Sequence, residues 1–250
     1  MIYTRSGSDA LSKRYEVVSP GTGNQHWGTT YFGPRSSSGH APGPQATMSE
    51  LQAYESVVPH FHGVSMFQLF IAGGGTIGAR GQVLKPLTIQ FKDHHTAYGP
   101  ITAGPLGISF VALRMYTGVS APVYLNEPDA REKLKPSKRR NLTSEPVGFS
   151  IAPVMQARTE VAWETMLKSE DDGMHAQVVR LGAGMSVPGP DPKLAGGYYV
   201  FVGNGSLLHG DEELPLWSMV VVENNEASFE IRAGSKGLEA LVLQYPLEER

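Results

Sequence analysis

The sequence predicts an all-β protein made of two tandem β-barrels of jelly-roll type. Of its 250 residues, 29 are Gly and 18 are Pro, a density of turn formers that suits many short strands joined by tight turns rather than helices. The apolar stretches are short and partly alternating, as strands are. The second half also repeats the first. Moving the chain by 130 positions lays Leu51 on Leu181, Ala53 on Ala183, Gly73 on Gly203, Gly75 on Gly205, Gly107 on Gly237 and Leu113 on Leu243 without a gap. A repeat this long is a duplicated domain rather than a solenoid unit, whose period is about 20–50 residues.

In order along the chain, strands are expected at Ser49–Tyr54, Phe67–Ala72 and Leu87–Phe91, in most cases followed or preceded by Gly or Pro. The apolar context travels with the repeat: Leu69-Phe70-Ile71-Ala72 matches Tyr199-Val200-Phe201-Val202, and Ile108 to Leu113 matches Leu238 to Leu243. The resulting organisation is an N-terminal barrel over 1–120, a linker over 121–147 and a C-terminal barrel over 148–250. Within the first, Ser19 to Pro44 reads as a Gly/Pro/Ser-rich arm carrying Trp27, Tyr31 and Phe32, which wraps the partner barrel or the barrel mouth. The linker is marked by Pro122, Pro128, Pro136 and Pro146, and its basic group Lys138-Arg139-Arg140 reads as a solvated face.

Charge excludes several partner classes. With 21 basic and 24 acidic residues the net charge is −3, too weak a field to attract nucleic acid or an anionic membrane. No apolar run approaches the roughly 18 residues of a membrane span, and Met1 to Tyr15 has no signal-peptide core, so a cytoplasmic location is the expectation. The absence of Cys removes disulfide, thiolate and zinc-finger chemistry. The sequon Asn141-Leu142-Thr143 is a chance triplet. A chain of this length buries roughly 70% or more of its unfolded surface.

The chemistry concentrates between residues 60 and 95, where four of the eight histidines fall. In Pro59-His60-Phe61-His62 the two histidines are one residue apart, so on a strand both imidazoles face the same way and can reach one ion. A carboxamide, Gln68, and a later histidine, His95 or His94, would complete an N3O set with open positions. At this point the residues resemble the cupin superfamily, whose first motif is two histidines one residue apart, then an acidic ligand, then a glycine with six residues between. Counting back from Gly75 reaches Gln68. The second motif is a lone histidine on a later strand after a turn. Here Gln68 replaces the acid, five residues separate it from His62, and Gln90 and Lys92 stand where the second motif has proline and glycine.

The resemblance implies His60, His62, Gln68 and His95 as ligands of one divalent transition metal per chain, with iron the first choice and zinc, nickel or manganese the alternatives. His94 would alternate away from His95 to the surface. In the second copy His60, His62, Gln68, His94 and His95 fall on Pro190, Pro192, Tyr198, Asn224 and Asn225, so that copy is expected to hold no metal, and the loop Gly184 to Gly197 replaces the metal turn. The implied activity is a dioxygenase acting on a small chelating organic substrate, with Met66, Phe67 and Phe70 lining a dry pocket and Tyr98 and Arg114 as candidate substrate contacts and catalytic groups. The alternatives are a bicupin that binds a ligand without turnover and a metal-dependent isomerase or lyase. A homodimer is the expected assembly.

Overall fold

In a computed structural model the chain is described over residues 1–19, 22–33, 43–115, 121–168 and 172–247. The elements, in chain order, are β1 (Ile2–Arg5), α1 (Gly7–Ser12), β2 (Tyr15–Val18), β3 (Gln25–Phe32), β4 (Gln45–Leu51), β5 (Ser56–Val57), β6 (His60–Phe61), β7 (Met66–Ile77), β8 (Gln82–Leu84), β9 (Thr88–Lys92), β10 (Ile101–Arg114), β11 (Val123–Tyr124) and β12 (Asn141–Thr143). They continue with α2 (Ala152–Gln156), β13 (Ala162–Leu167), β14 (His175–Leu181), β15 (Ser186–Pro188), β16 (Tyr198–His209), β17 (Glu212–Leu214), β18 (Met219–Val222) and β19 (Glu230–Gln244). The centre of the predicted arm, residues 34–42, lies outside the described residues. Tyr31 and Trp27 belong to β3 rather than to an irregular segment.

The chain divides into two compact units, one of Lys13–Pro146 and one of Met1–Ser12 with Val147–Arg250. In the first, the sheet order is β12-β9-β7-β10-β4-β3-β2, with β5 on β10, β8 on β7 and a separate β11-β6 ribbon. In the second it is β1-β18-β16-β19-β14-β13, with β15 on β19 and β17 on β16. All neighbours are antiparallel. Both units are jelly rolls as expected, but among the described residues no strand pairing closes either sheet.

Two boundaries differ from the sequence expectation. Residues 1–12 belong to the second unit: β1 adds to the edge of its sheet through Ile2↔Val222 to Arg5↔Met219, and the Met1 ammonium pairs with Glu223 and Glu226. Of the expected linker 121–147, Val147 belongs to the second unit and residues 121–146 to the first, where β11 pairs with β6 and β12 pairs with β9. Its basic group is only partly a solvated face. Arg140 forms a two-pronged bond with the Asp93 carboxylate, at 2.8 Å from Nη2 and 3.0 Å from Nε; Asp93 is buried and Arg140 half-buried.

Strand pairing also refines the repeat. Gln68 pairs with Gln90 and Ala112, while their counterparts at 130, Val220 and Val242, both pair with Val200. On this strand the true offset is therefore 132. The second unit has two extra residues before β16 and a hairpin two residues shorter after it, so the gap-free alignment re-enters register on either side. An even slip leaves inside and outside unchanged. The turn before β9 confirms the outer register: Leu87 and Trp217, 130 apart, share φ 64°, and their amides bond to Phe70 O and Val202 O. Gly107 (φ 73°) could not be replaced, because a Cβ there would meet Leu51 O at 2.5 Å.

Inside the second unit Tyr198, Val200, Val202, Val220, Val222, Ala240 and Val242 join in one apolar cluster. The first unit has an apolar end around Phe70, Ile77, Leu84, Ile101, Ile108 and Phe110. Its other end is polar.

Candidate functional site

The polar end is built by register. Gln68 on β7 faces Ala112 on β10 and Gln90 on β9, and Ala112 in turn faces Thr47 on β4. One step further along the same faces, Arg114 lies opposite Gln45 and Lys92 lies opposite Met66. Period two therefore sends Gln68, Gln90, Lys92 and Arg114 to the side of Met66 and Phe70. Phe67 and Phe91 pack against each other on the opposite side, with ring centroids 4.9 Å apart. Of the three expected pocket-lining residues, Met66 and Phe70 face inward and Phe67 does not.

His60 and His62 enter this interior from β6 and the residue that follows it, with ring centroids 5.2 Å apart. The Val58 carbonyl lies 2.8 Å from His60 Nδ1, which assigns the proton to Nδ1 and leaves Nε2 with its lone pair. Burial pushes the His60 pKa down to about 4, the Val58 bond opposes this, and Arg114 and Lys92 lower it further. His60 is neutral at physiological pH. The His62 Nε2 lies 3.1 Å from Arg114 Nη2. Arg114 also donates to Gln45 Oε1 at 2.9 Å.

Lys92 lies at the centre of the other half, 1% exposed. Its Nζ donates to Gln68 Oε1 at 2.8 Å and to Gln90 Oε1 at 2.7 Å, and it sits 4.3 Å from the centre of the Tyr98 ring. Gln90 is oriented for this because its Nε2 donates to Thr143 Oγ1 at 3.0 Å. Burial moves the Lys92 pKa well below the ordinary lysine value. Tyr98 links the two halves, its ring 4.5 Å from that of His60 and its hydroxyl directed at Met66 Sδ. Burial raises the Tyr98 pKa, with Arg114 opposing.

Four sequence-predicted residues thus converge: His60, His62, Tyr98 and Arg114. Gln68 joins them, but its oxygen is taken by Lys92. His95 does not. The β9 strand ends at Lys92, Asp93 is held by Arg140, and the chain turns with His95 in the left-handed region at φ 55°. The His95 amide bonds to His62 O, and its ring meets Phe61, the residue between the two histidines, with centroids 5.6 Å apart. It therefore lies on the face opposite to theirs. His94, like His95, is half-buried in the same turn.

These residues do not fit the divalent ion that the sequence pattern implies. His60 alone has a ligand's tautomer with a backbone carbonyl behind it. Against it, the two side chains that would follow are a glutamine bonded to an ammonium and a histidine facing a guanidinium. Among the described residues no three His, Asp or Glu side chains gather as a metal site. Sequence reasoning missed Lys92, Gln90 and Gln45 as site residues. The signal was present in Thr88-Ile89-Gln90-Phe91-Lys92, where strand alternation puts two long polar side chains on one face.

No family model matches the sequence, and no curated protein matches it. Solved structures do match by fold. A provisionally named dioxygenase from Nostoc punctiforme superposes with TM-score 0.64 at 13% identity, over 100% of this chain and 85% of that one. Salicylate 1,2-dioxygenase from Pseudaminobacter salicylatoxidans gives 0.59 at 12%, over 98% and 84%. The pirin YhhW from Escherichia coli, solved with nickel(II), gives 0.56 at 12%, over 99% and 100%. No helix of the described residues is long and apolar enough to cross a membrane. The chain therefore shares the fold of these proteins, two tandem jelly rolls.

Proposed function

We propose that the first jelly roll binds a small organic anion at its polar end, with Lys92 and Arg114 as the attracting charges and the His60 Nε2 lone pair as a proton acceptor. The observation that carries this reading is Lys92. An ammonium removed from water is costly unless a negative charge compensates it, and the hydrogen-bond acceptors around Lys92 are two neutral amides. A ligand carboxylate would supply the missing charge. The second jelly roll supports the reading as an internal control. The positions of Gln68, Gln90, Lys92 and Ala112 are all valine there, namely Val200, Val220, Val222 and Val242. The same fold is therefore satisfied by an apolar filling, and the polar side chains answer a demand other than stability.

A panel of small mono- and dicarboxylates screened by thermal shift tests this. A binder at about 100 times its Kd stabilises the chain by roughly 2.7 kcal/mol. The shift should vanish in Lys92→Met, and a panel without any binder would remove the reading.

A metal-dependent dioxygenase is the second reading. It is favoured by the His60–His62 pair with its carbonyl-oriented Nδ1, and by the dioxygenases among the structural relatives. Iron retained through purification together with oxygen uptake would select it over the first.

A further inference from the structure

We infer that Lys92 is a built-in cation standing between Gln68 and Gln90 where the sequence pattern implies a metal, so that the first jelly roll works metal-free and becomes a metal site only when this lysine is removed. The inference rests on reading the first jelly roll as the functional one.

Three features of the geometry support it. First, all three N–H bonds of an ammonium have a receiver: Gln68 Oε1 at 2.8 Å, Gln90 Oε1 at 2.7 Å, and the face of Tyr98 at 4.3 Å from its centre. Second, the amide of Gln90 is fixed by its bond to Thr143, so its oxygen is presented to Lys92 rather than turned there by chance. Third, the same interior holds Arg114 against His62 at 3.1 Å. A divalent ion entering here would meet two fixed cations. In partly dry surroundings each such fixed unit charge weakens the binding of a divalent ion by several powers of ten.

Removing the lysine reverses the balance. Two amide oxygens lose their donor, the neutral imidazole of His60 keeps its Nε2 lone pair, and one repelling charge is gone. Oxygen and imidazole donors of this kind suit a divalent transition metal.

The experiment is a cobalt(II) titration of the full chain, followed by visible absorption and by elemental analysis after gel filtration. Wild type is expected to retain no stoichiometric cobalt, and retention of one equivalent would overturn the inference. Lys92→Met is expected to bind cobalt at least about 100-fold more tightly than wild type, and to lose it again when combined with His60→Ala. A folded Lys92→Met that gains nothing would also overturn it. Gln68→Glu, which keeps the lysine, provides an arm independent of Lys92→Met folding. If Lys92 is the resident cation, the new carboxylate pairs with it, raises the melting temperature and leaves cobalt affinity unchanged. If a metal is resident, the same change tightens cobalt instead. No organic ligand enters these measurements, so they stand or fall separately from the anion-binding reading.

Discussion

Gln68 and Gln90 stand directly opposite each other on β7 and β9, and the equivalent pair on β16 and β18 is Val200 and Val220. One backbone register therefore accepts either a polar or an apolar pair. Changing Gln68→Val alone leaves a buried Lys92 donor without its acceptor and is expected to cost about 1–3 kcal/mol. Changing Gln68, Gln90 and Lys92 together to valine removes the whole network and should restore stability to within about 1 kcal/mol of wild type or above it. Urea denaturation of the three proteins checks the order. A triple variant less stable than the single one would show that the network holds the fold.

Asp93 and Arg140 fasten residues 137–143 to the end of β9. The contact has three parts: the two-pronged ion pair, the Arg140 amide on Asp93 Oδ2 at 2.8 Å, and the Asp93 amide on Arg140 O at 3.1 Å. With side-chain exposures of 10% and 4%, this pair is shielded from solvent. Asp93→Ala removes the buried carboxylate that Arg140 engages and is expected to destabilise the first unit by up to about 3 kcal/mol. Limited proteolysis should also cut the 121–146 segment sooner than in wild type. Equal protease resistance would mean that β11 and β12 hold the segment unaided.

The sequence carries the jelly-roll duplication and the inward faces because strand alternation and glycine spacing are local signals. It does not carry what depends on pairing between distant residues. Ile2 pairs with Val222, and nothing near residue 2 announces that partner. The two-residue offset on β7 is likewise invisible, because an insertion before the strand and a deletion after it cancel. His95 was misread for a related reason: counting assumes that the strand continues through Asp93, whereas the Arg140 bond ends it there. His60 and His62 were legible as site residues through their one-residue spacing, Tyr98 through its place in the turn after the later histidines, and Arg114 through its place at the end of the last strand of the copy. Lys92 was missed because a lysine on a strand reads as solvated until the register shows that it faces inward.

Glu239 gives the second unit a pH dependence. Burial pushes its pKa up, but bonds from Ser150 Oγ and N at 2.7 Å, from Asn204 and from Arg180 outweigh burial and hold it below the usual glutamate value. The folded pKa is therefore lower than the unfolded one. The stabilisation is fully present above the unfolded value of 4.5 and is lost as pH falls through the folded pKa. The stability gap between wild type and Glu239→Gln should be widest near neutral pH and should narrow below about pH 4.5. Thermal melts at pH 7 and at acid pH measure it. A gap that stays constant with pH would assign the loss to packing rather than to charge.

Arg114 tests whether the polar end selects anions by charge alone or by shape. The guanidinium is held by Gln45 Oε1 and faces His62 and Met66 Sδ, so its plane is fixed before any ligand arrives. A planar fork meets a carboxylate with two parallel hydrogen bonds, whereas an ammonium meets it as a point charge. For a carboxylate found by thermal shift, calorimetric affinity should fall about tenfold or more in Arg114→Lys, and further in Arg114→Met, which keeps the volume and loses the charge. Stability should change little in Arg114→Met, because an apolar chain of similar length fills the same space between Met66 and Gln45. If Arg114→Lys binds as tightly as wild type, charge suffices and the fork is irrelevant. If Arg114→Met does as well, the anion is held by Lys92 alone, and the two cations of this interior have separate tasks.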